Sequence, residues 1–107
     1  MRAGDLRHRL TIQKPDKVKD PLSGELVDGW IDVTTVWGSV EDLAGKEFFA
    51  AQQVNAEITT QVIIRYQKGI KAIMRIVCDD RILELAAPPM DPDGRRRELH
   101  LLCKGVS

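Results

Sequence analysis

The chain has 107 residues and a mass of 12.0 kDa, room for one hydrophobic core and too little for two. Hydrophobic residues make up 43% and charged residues 30%, the balance of a folded globular chain rather than a disordered one. Lysine plus arginine and aspartate plus glutamate both number 16, and zero net charge speaks against a general nucleic-acid binder, whose affinity comes from clustered cations. The longest apolar run is Phe48 to Ala51, far short of the roughly twenty residues of a membrane-spanning helix. The N-terminus meets a charge at Arg2 and develops no apolar export signal, so a cytosol-like compartment with reduced Cys78 and Cys103 is expected. The charges are unevenly spread. Residues 1–57 carry 10 acidic and 7 basic side chains and residues 58–107 carry 6 and 9, a polarity suited to head-to-tail association of like subunits.

Arg7 to Gln13 alternates Leu10 and Ile12 with polar residues, the period of a half-buried strand. Lys14 to Gly29 is rich in charge, proline and glycine and reads as a long exposed loop or a flexible hairpin arm. Trp30 to Val40 is β-branched and apolar on both parities, a second strand with Gly38 as a plausible bulge. Asp42 is placed to cap a short helix within 42–57, whose apolar face is narrow: Phe48 and Ala51, with Phe49 and Ala56 beside them. Strands return over Thr60 to Tyr66, Met74 to Cys78 and Arg81 to Ala86, the last two hinged at Asp79-Asp80. A loop over 87–97 leads to Glu98–Lys104, with Leu99, Leu101 and Cys103 on one face. The expected architecture is a single mainly-β domain over 1–107, a small antiparallel β-barrel of five to six strands with one short inserted α-helix and long loops. Trp30, Trp37 and Tyr66 are assigned to its core.

No catalytic constellation emerges. His8, His100, Cys78 and Cys103 are metal-ligand types but lack the close pair spacing of zinc motifs, and the cysteines read as small apolar strand residues. No cofactor or metal is therefore expected. There is no G-x-S-x-G, no phosphate-cradling glycine loop, and no carboxylate set beside a feature that would shift its pKa. The run Arg95-Arg96-Arg97 has two readings: contact with DNA phosphate or an acidic partner, or a solvated loop neutralised by Asp91, Asp93 and Glu98. An OB-like nucleic-acid module is the alternative for a small barrel, but it needs strand aromatics as stacking platforms and only five aromatics exist. Phe48-Phe49 either supplies core over an open barrel end or docks on a neighbouring subunit.

Read in order, Ala3-Gly4-Asp5-Leu6-Arg7-His8-Arg9-Leu10-Thr11-Ile12-Gln13, Trp37-Gly38-Ser39-Val40, Gly45-Lys46-Glu47, Thr60 to Tyr66, Met74-Arg75-Ile76 and Glu98 to Cys103 resemble the head-tail joining (head-closure or stopper) proteins of long-tailed bacteriophages and prophages. The resemblance spans nearly the whole chain. It departs at Cys78-Asp79-Asp80-Arg81, where a turn glycine is expected, and at Arg95–Arg97, which is more basic than the pattern requires. It implies a non-enzymatic virion connector that is found in host cytoplasm before assembly. The subunit would form a homo-oligomeric ring under the portal and adaptor proteins, retain genomic DNA, and receive tail terminator or other tail proteins, with no membrane involved. By the same resemblance, a segment over about residues 43–57 contributes to closing the channel. Its candidate residues are Lys46, Glu47, Phe48, Phe49, Gln52 and Gln53, with Arg95, Arg96 and Arg97 a candidate partner-contact loop.

Overall fold

A computed structural model describes residues 7–106; the residues before Arg7 that contribute to the resemblance lie outside it. Six antiparallel strands, β1 (His8–Lys19), β2 (Leu26–Asp42), β3 (Thr60–Arg65), β4 (Arg75–Cys78), β5 (Arg81–Leu85) and β6 (Glu98–Val106), close into a barrel in the order β1-β2-β3-β6-β5-β4. One helix, α1 (Gly45–Val54), is inserted between β2 and β3. Alternation places Leu10 and Ile12, Val62 and Ile64, Ile76, Leu83, Leu101 and Cys103 inside, all fully buried. Each large aliphatic chain enclosed this way contributes roughly 1.5–3 kcal/mol.

The core is aliphatic, which corrects the expectation for the aromatics. Trp37 is 52% exposed beneath the Arg9 guanidinium at 5.4 Å, and half-buried Trp30 lies against Arg75 at 4.2 Å. Tyr66 only flanks the core. With β-branched and leucine side chains filling so narrow a barrel, the rings are left to the outer surface.

Gly38 is also not the bulge. Its backbone pairs regularly with His8 and Ile64, and the register slips instead between Ile12/Gln13 and Thr34/Asp32, leaving Val33 as the extra residue. Gly38 is a glycine because the wall is tight there. A Cβ would stand 2.5 Å from Leu10 Cδ1 and 2.9 Å from both the Ile63 carbonyl oxygen and Ile64 Cγ2.

Residues 14–29 form a hairpin arm rather than a loop. β1 and β2 stay paired from Lys14↔Ile31 out to Lys19↔Leu26, whereas β4 meets β1 only at Thr11–Gln13 and β3 meets β2 only at Gly38–Asp42. The outer halves are thus a two-stranded ribbon, which accounts for the 48 Å long axis. Pro15 and the charges are tolerated because this ribbon has no further strand to satisfy. Gly24, at φ +76°, closes its tip through Gly24 N–H to Asp20 O (2.8 Å), and Lys17 pairs with Asp28 across it. The arm's root is tied down by Gln13 Nε2 donating to Asp32 (2.8 Å) and by Arg75 Nε donating to Gln13 Oε1 (2.8 Å).

At β4–β5, Asp79 adopts φ +53°, the left-handed conformation that aspartate tolerates better than most residues, so the turn forms without the expected glycine. Antiparallel order brings the arm, the 66–74 connection and the Arg95–Arg97 loop out at one end of the barrel. The start of β1, the 79–80 turn and the β2–α1 junction come out at the other.

Candidate interaction surfaces

The helix is shorter and later-capped than the sequence suggests. It spans Gly45–Val54, its N-cap is Ala44 with no side-chain cap, and Asp42 belongs to β2. There Asp42 accepts hydrogen bonds from Arg81 Nη2 (3.2 Å) and Thr60 Oγ1 (3.1 Å), which hold its carboxyl below the usual range. Gly45 opens the helix at φ +59° with no atom near the Cβ position, so glycine serves the backbone there. Asn55 closes it: its N–H bonds to Ala51 O (3.1 Å) and its side-chain amide donates to Ala86 O (3.2 Å).

Only Ala51 of the helix is buried, in a small cluster with Ile58 and Leu102. Leu102 has the opposite parity to Leu101, so α1 rests on the outer face of the barrel wall and does not plug an open end. Gln52 reinforces the seat by donating to the Ile58 carbonyl. Phe48 is half-buried, Phe49 is 68% exposed, and their rings meet edge-on at 5.8 Å. Lys46, Glu47 and Gln53 are exposed. The segment is therefore contiguous, but the barrel holds it by little more than one alanine and two amide side chains.

Beside α1 runs an apolar groove of about 470 Å³, bounded by Leu43, Ala50, Val54, Met90 and Leu102. Its polar line is Gln61 Nε2 to His100 Nδ1 (3.3 Å) and His100 Nε2 to Glu98 (2.8 Å). The 87–97 loop forms the far wall and is pinned by paired backbone hydrogen bonds between Met90 and His100 (3.0 and 2.8 Å). No sequence motif pointed to this groove, because its sides come from four separate segments.

Arg95, Arg96 and Arg97 are all exposed, and the neighbouring aspartates meet the backbone of the run rather than its guanidinium groups. Asp93 accepts the Arg95 N–H and Asp91 the Arg96 N–H, both at 3.0 Å, so these acids fold the turn. Among the described residues none of the three guanidinium groups forms an ion pair; Arg96 lies 6.0 Å from the Tyr66 ring. Cys103 is a core residue whose thiol burial pushes up to about 12. It is expected to resist alkylation at neutral pH in the native chain and to react fully in denaturant; labelling followed by mass spectrometry checks this.

Over residues 1–106 the sequence matches the family of phage head completion proteins. The chain belongs to that family. Its members fill a structural part in completing the phage head and are not a known enzyme class. The solution structure of protein SF1141 from Shigella flexneri 2a is 34% identical, with a TM-score of 0.77 over 100% of this chain and 98% of that one. A chain from the virion of a native gene transfer agent particle, 16% identical, shares the fold, with a TM-score of 0.60 over 94% and 96%. No protein of curated function matches. No helix among the described residues is long and apolar enough to cross a membrane.

Proposed function

We propose that this head completion protein is a ring-forming connector subunit that sits beneath the portal and adaptor, retains the packaged DNA and gives the tail its docking platform. The observation that carries this reading is the family match over nearly the whole chain, joined to two dissimilar unsatisfied surfaces. The arm leaves one end of the barrel with Leu22 95% and Leu26 71% exposed, while α1 and its groove lie towards the other end on strands across the wall from β1. Two unlike surfaces are what a heterologous, closing ring requires. A two-stranded ribbon is marginal on its own in water and gains support from a partner. Residues 43–57 are the segment we assign to channel closure, since so lightly held a helix can be repositioned at low cost. Before assembly the subunit is monomeric or weakly associated, in host cytoplasm.

The test is deletion of the gene in its inducible phage or prophage, with the lysate viewed by electron microscopy. Heads emptied of DNA beside free complete tails are the expected result; normal infectious virions would overturn the reading. Salt-sensitive binding of the purified chain to single-stranded DNA would favour the nucleic-acid module instead. Changing Arg95, Arg96 and Arg97 together to serine is expected to lower the yield of infectious particles only a few-fold, because exposed rim charges contribute little to affinity. Plaque counts on a complemented deletion read this directly.

A further inference from the structure

His8, Cys78 and Asp79 meet at the barrel end opposite the arm. A ring nitrogen of His8, the Cys78 sulfur and a carboxylate oxygen of Asp79 all lie within 4.8 Å of one another. The meeting follows from the fold. β1 and β4 pair antiparallel with Thr11 opposite Val77, so continuing that register sets Cys78 beside Leu10 and brings His8 to the 79–80 turn. His8, Leu10 and Ile12 share the inward parity. Consecutive strand residues normally point to opposite faces; the left-handed backbone of Asp79, at φ +53°, ends that alternation just where its carboxylate joins the Cys78 side. Among the described residues the His8 side chain makes no hydrogen bond, so neither ring nitrogen is committed elsewhere.

We propose that these three side chains form a zinc-type metal site that clips the start of the first strand to the β4–β5 turn. Sulfur, nitrogen and oxygen donors together suit Zn²⁺, whereas Mg²⁺ and Ca²⁺ take oxygen shells and Cu⁺ prefers sulfur alone. In a tetrahedral zinc site, donors at about 2.0–2.3 Å from the ion lie roughly 3.5 Å apart, so closing requires shifts on the order of 1 Å by side chains at a strand end and a turn. Cys78 is buried, His8 half-buried and Asp79 exposed, which leaves the solvent side open for water as the fourth ligand. On binding, the thiol proton passes to solvent and the thiolate bonds the metal. The clip joins residues seventy positions apart, so it stabilises the closed barrel against opening at β1. His8 and Cys78 stand out in the sequence as metal-ligand types, but seventy intervening residues hide their meeting, and Asp79 joins them only through the geometry of the turn.

The experiment is titration of the untagged, reduced full-length chain with Co²⁺ alone, followed by displacement with Zn²⁺. The expected result is one equivalent bound, with a thiolate-to-cobalt charge-transfer band and the d–d absorption of four-coordinate cobalt. Cys78→Ser should abolish the charge-transfer band, and His8→Gln should weaken binding more than about tenfold, since even outer-shell partners of metal sites are worth 10–100-fold. Cys103→Ala should leave the spectrum in place. Should Cys78→Ser fail to fold, His8→Gln alone decides, because its side chain lies outside the enclosed core. A wild-type chain without the band, or a band that survives His8→Gln undiminished, overturns the proposal.

Discussion

Gly38→Val is expected to lower the thermal midpoint by roughly 10 °C or more, reflecting about 2–3 kcal/mol of overpacking in a domain of this size. Of the three atoms a side chain would meet there, one is the backbone oxygen of Ile63, which cannot rotate away, and another is a methyl of fully buried Leu10. Relief would require β2 to move from β1 or β3, and both pairings hold the wall closed. Two other glycines serve as controls. At Gly29 a Cβ would press on Val18, but there the two-stranded arm has no further strand to hold it and can splay to make room; at Gly105 nothing lies within 4 Å. Alanine at either is expected to shift the midpoint by no more than about 3 °C. Circular dichroism melts of the three variants make the comparison. A Gly38→Val chain melting like wild type would mean that the wall yields more than its packing implies.

The second large effect falls on assembly instead of folding. Replacing Phe48 and Phe49 with serine removes aromatic surface that the barrel itself scarcely covers, so the loss of fold stability is expected to stay below about 2 kcal/mol. If these rings seat against a neighbouring subunit or line the closed channel, each copy loses a contact of hot-spot size. About 2 kcal/mol per interface weakens association roughly 30-fold, and a ring repeats that loss at every joint. The expected outcome is a folded, monodisperse protein that does not complement a deletion, leaving heads that leak DNA. Loss of the folded state would place the rings in the core, and full complementation would remove this segment from the interface.

Strand by strand, the barrel was legible because its inward positions obey period two without interruption: Leu10 and Ile12, Val62 and Ile64, Leu99, Leu101 and Cys103. What escaped was whatever depends on a partner far along the chain. Lys14–Gly29 has a composition that suits a loop or a hairpin arm equally, and the choice between them falls to the arm only because Lys19 finds Leu26 across a tight tip. The indole of Trp30 looks like core until Arg75, forty-five positions away, is seen lying on it. Gly38 looks like a bulge because sequence shows a missing side chain and not the three atoms that would collide with one. Asp42 has cap chemistry, but Arg81 and Thr60 claim it first. The Phe48-Phe49 pair and the Arg95–Arg97 run were visible as patches, while the groove joining α1 to Met90 and His100 was not.

The position of the two tryptophans has an optical consequence. Neither indole belongs to the enclosed core: Trp30 sits at the root of the ribbon under a guanidinium, and Trp37 is on the outer wall under another. Intrinsic emission from this protein therefore reports on two indole–guanidinium contacts, that of Trp37 on the barrel wall and that of Trp30 at the ribbon, and the Trp30 share gives a label-free signal for a neighbour arriving at the arm.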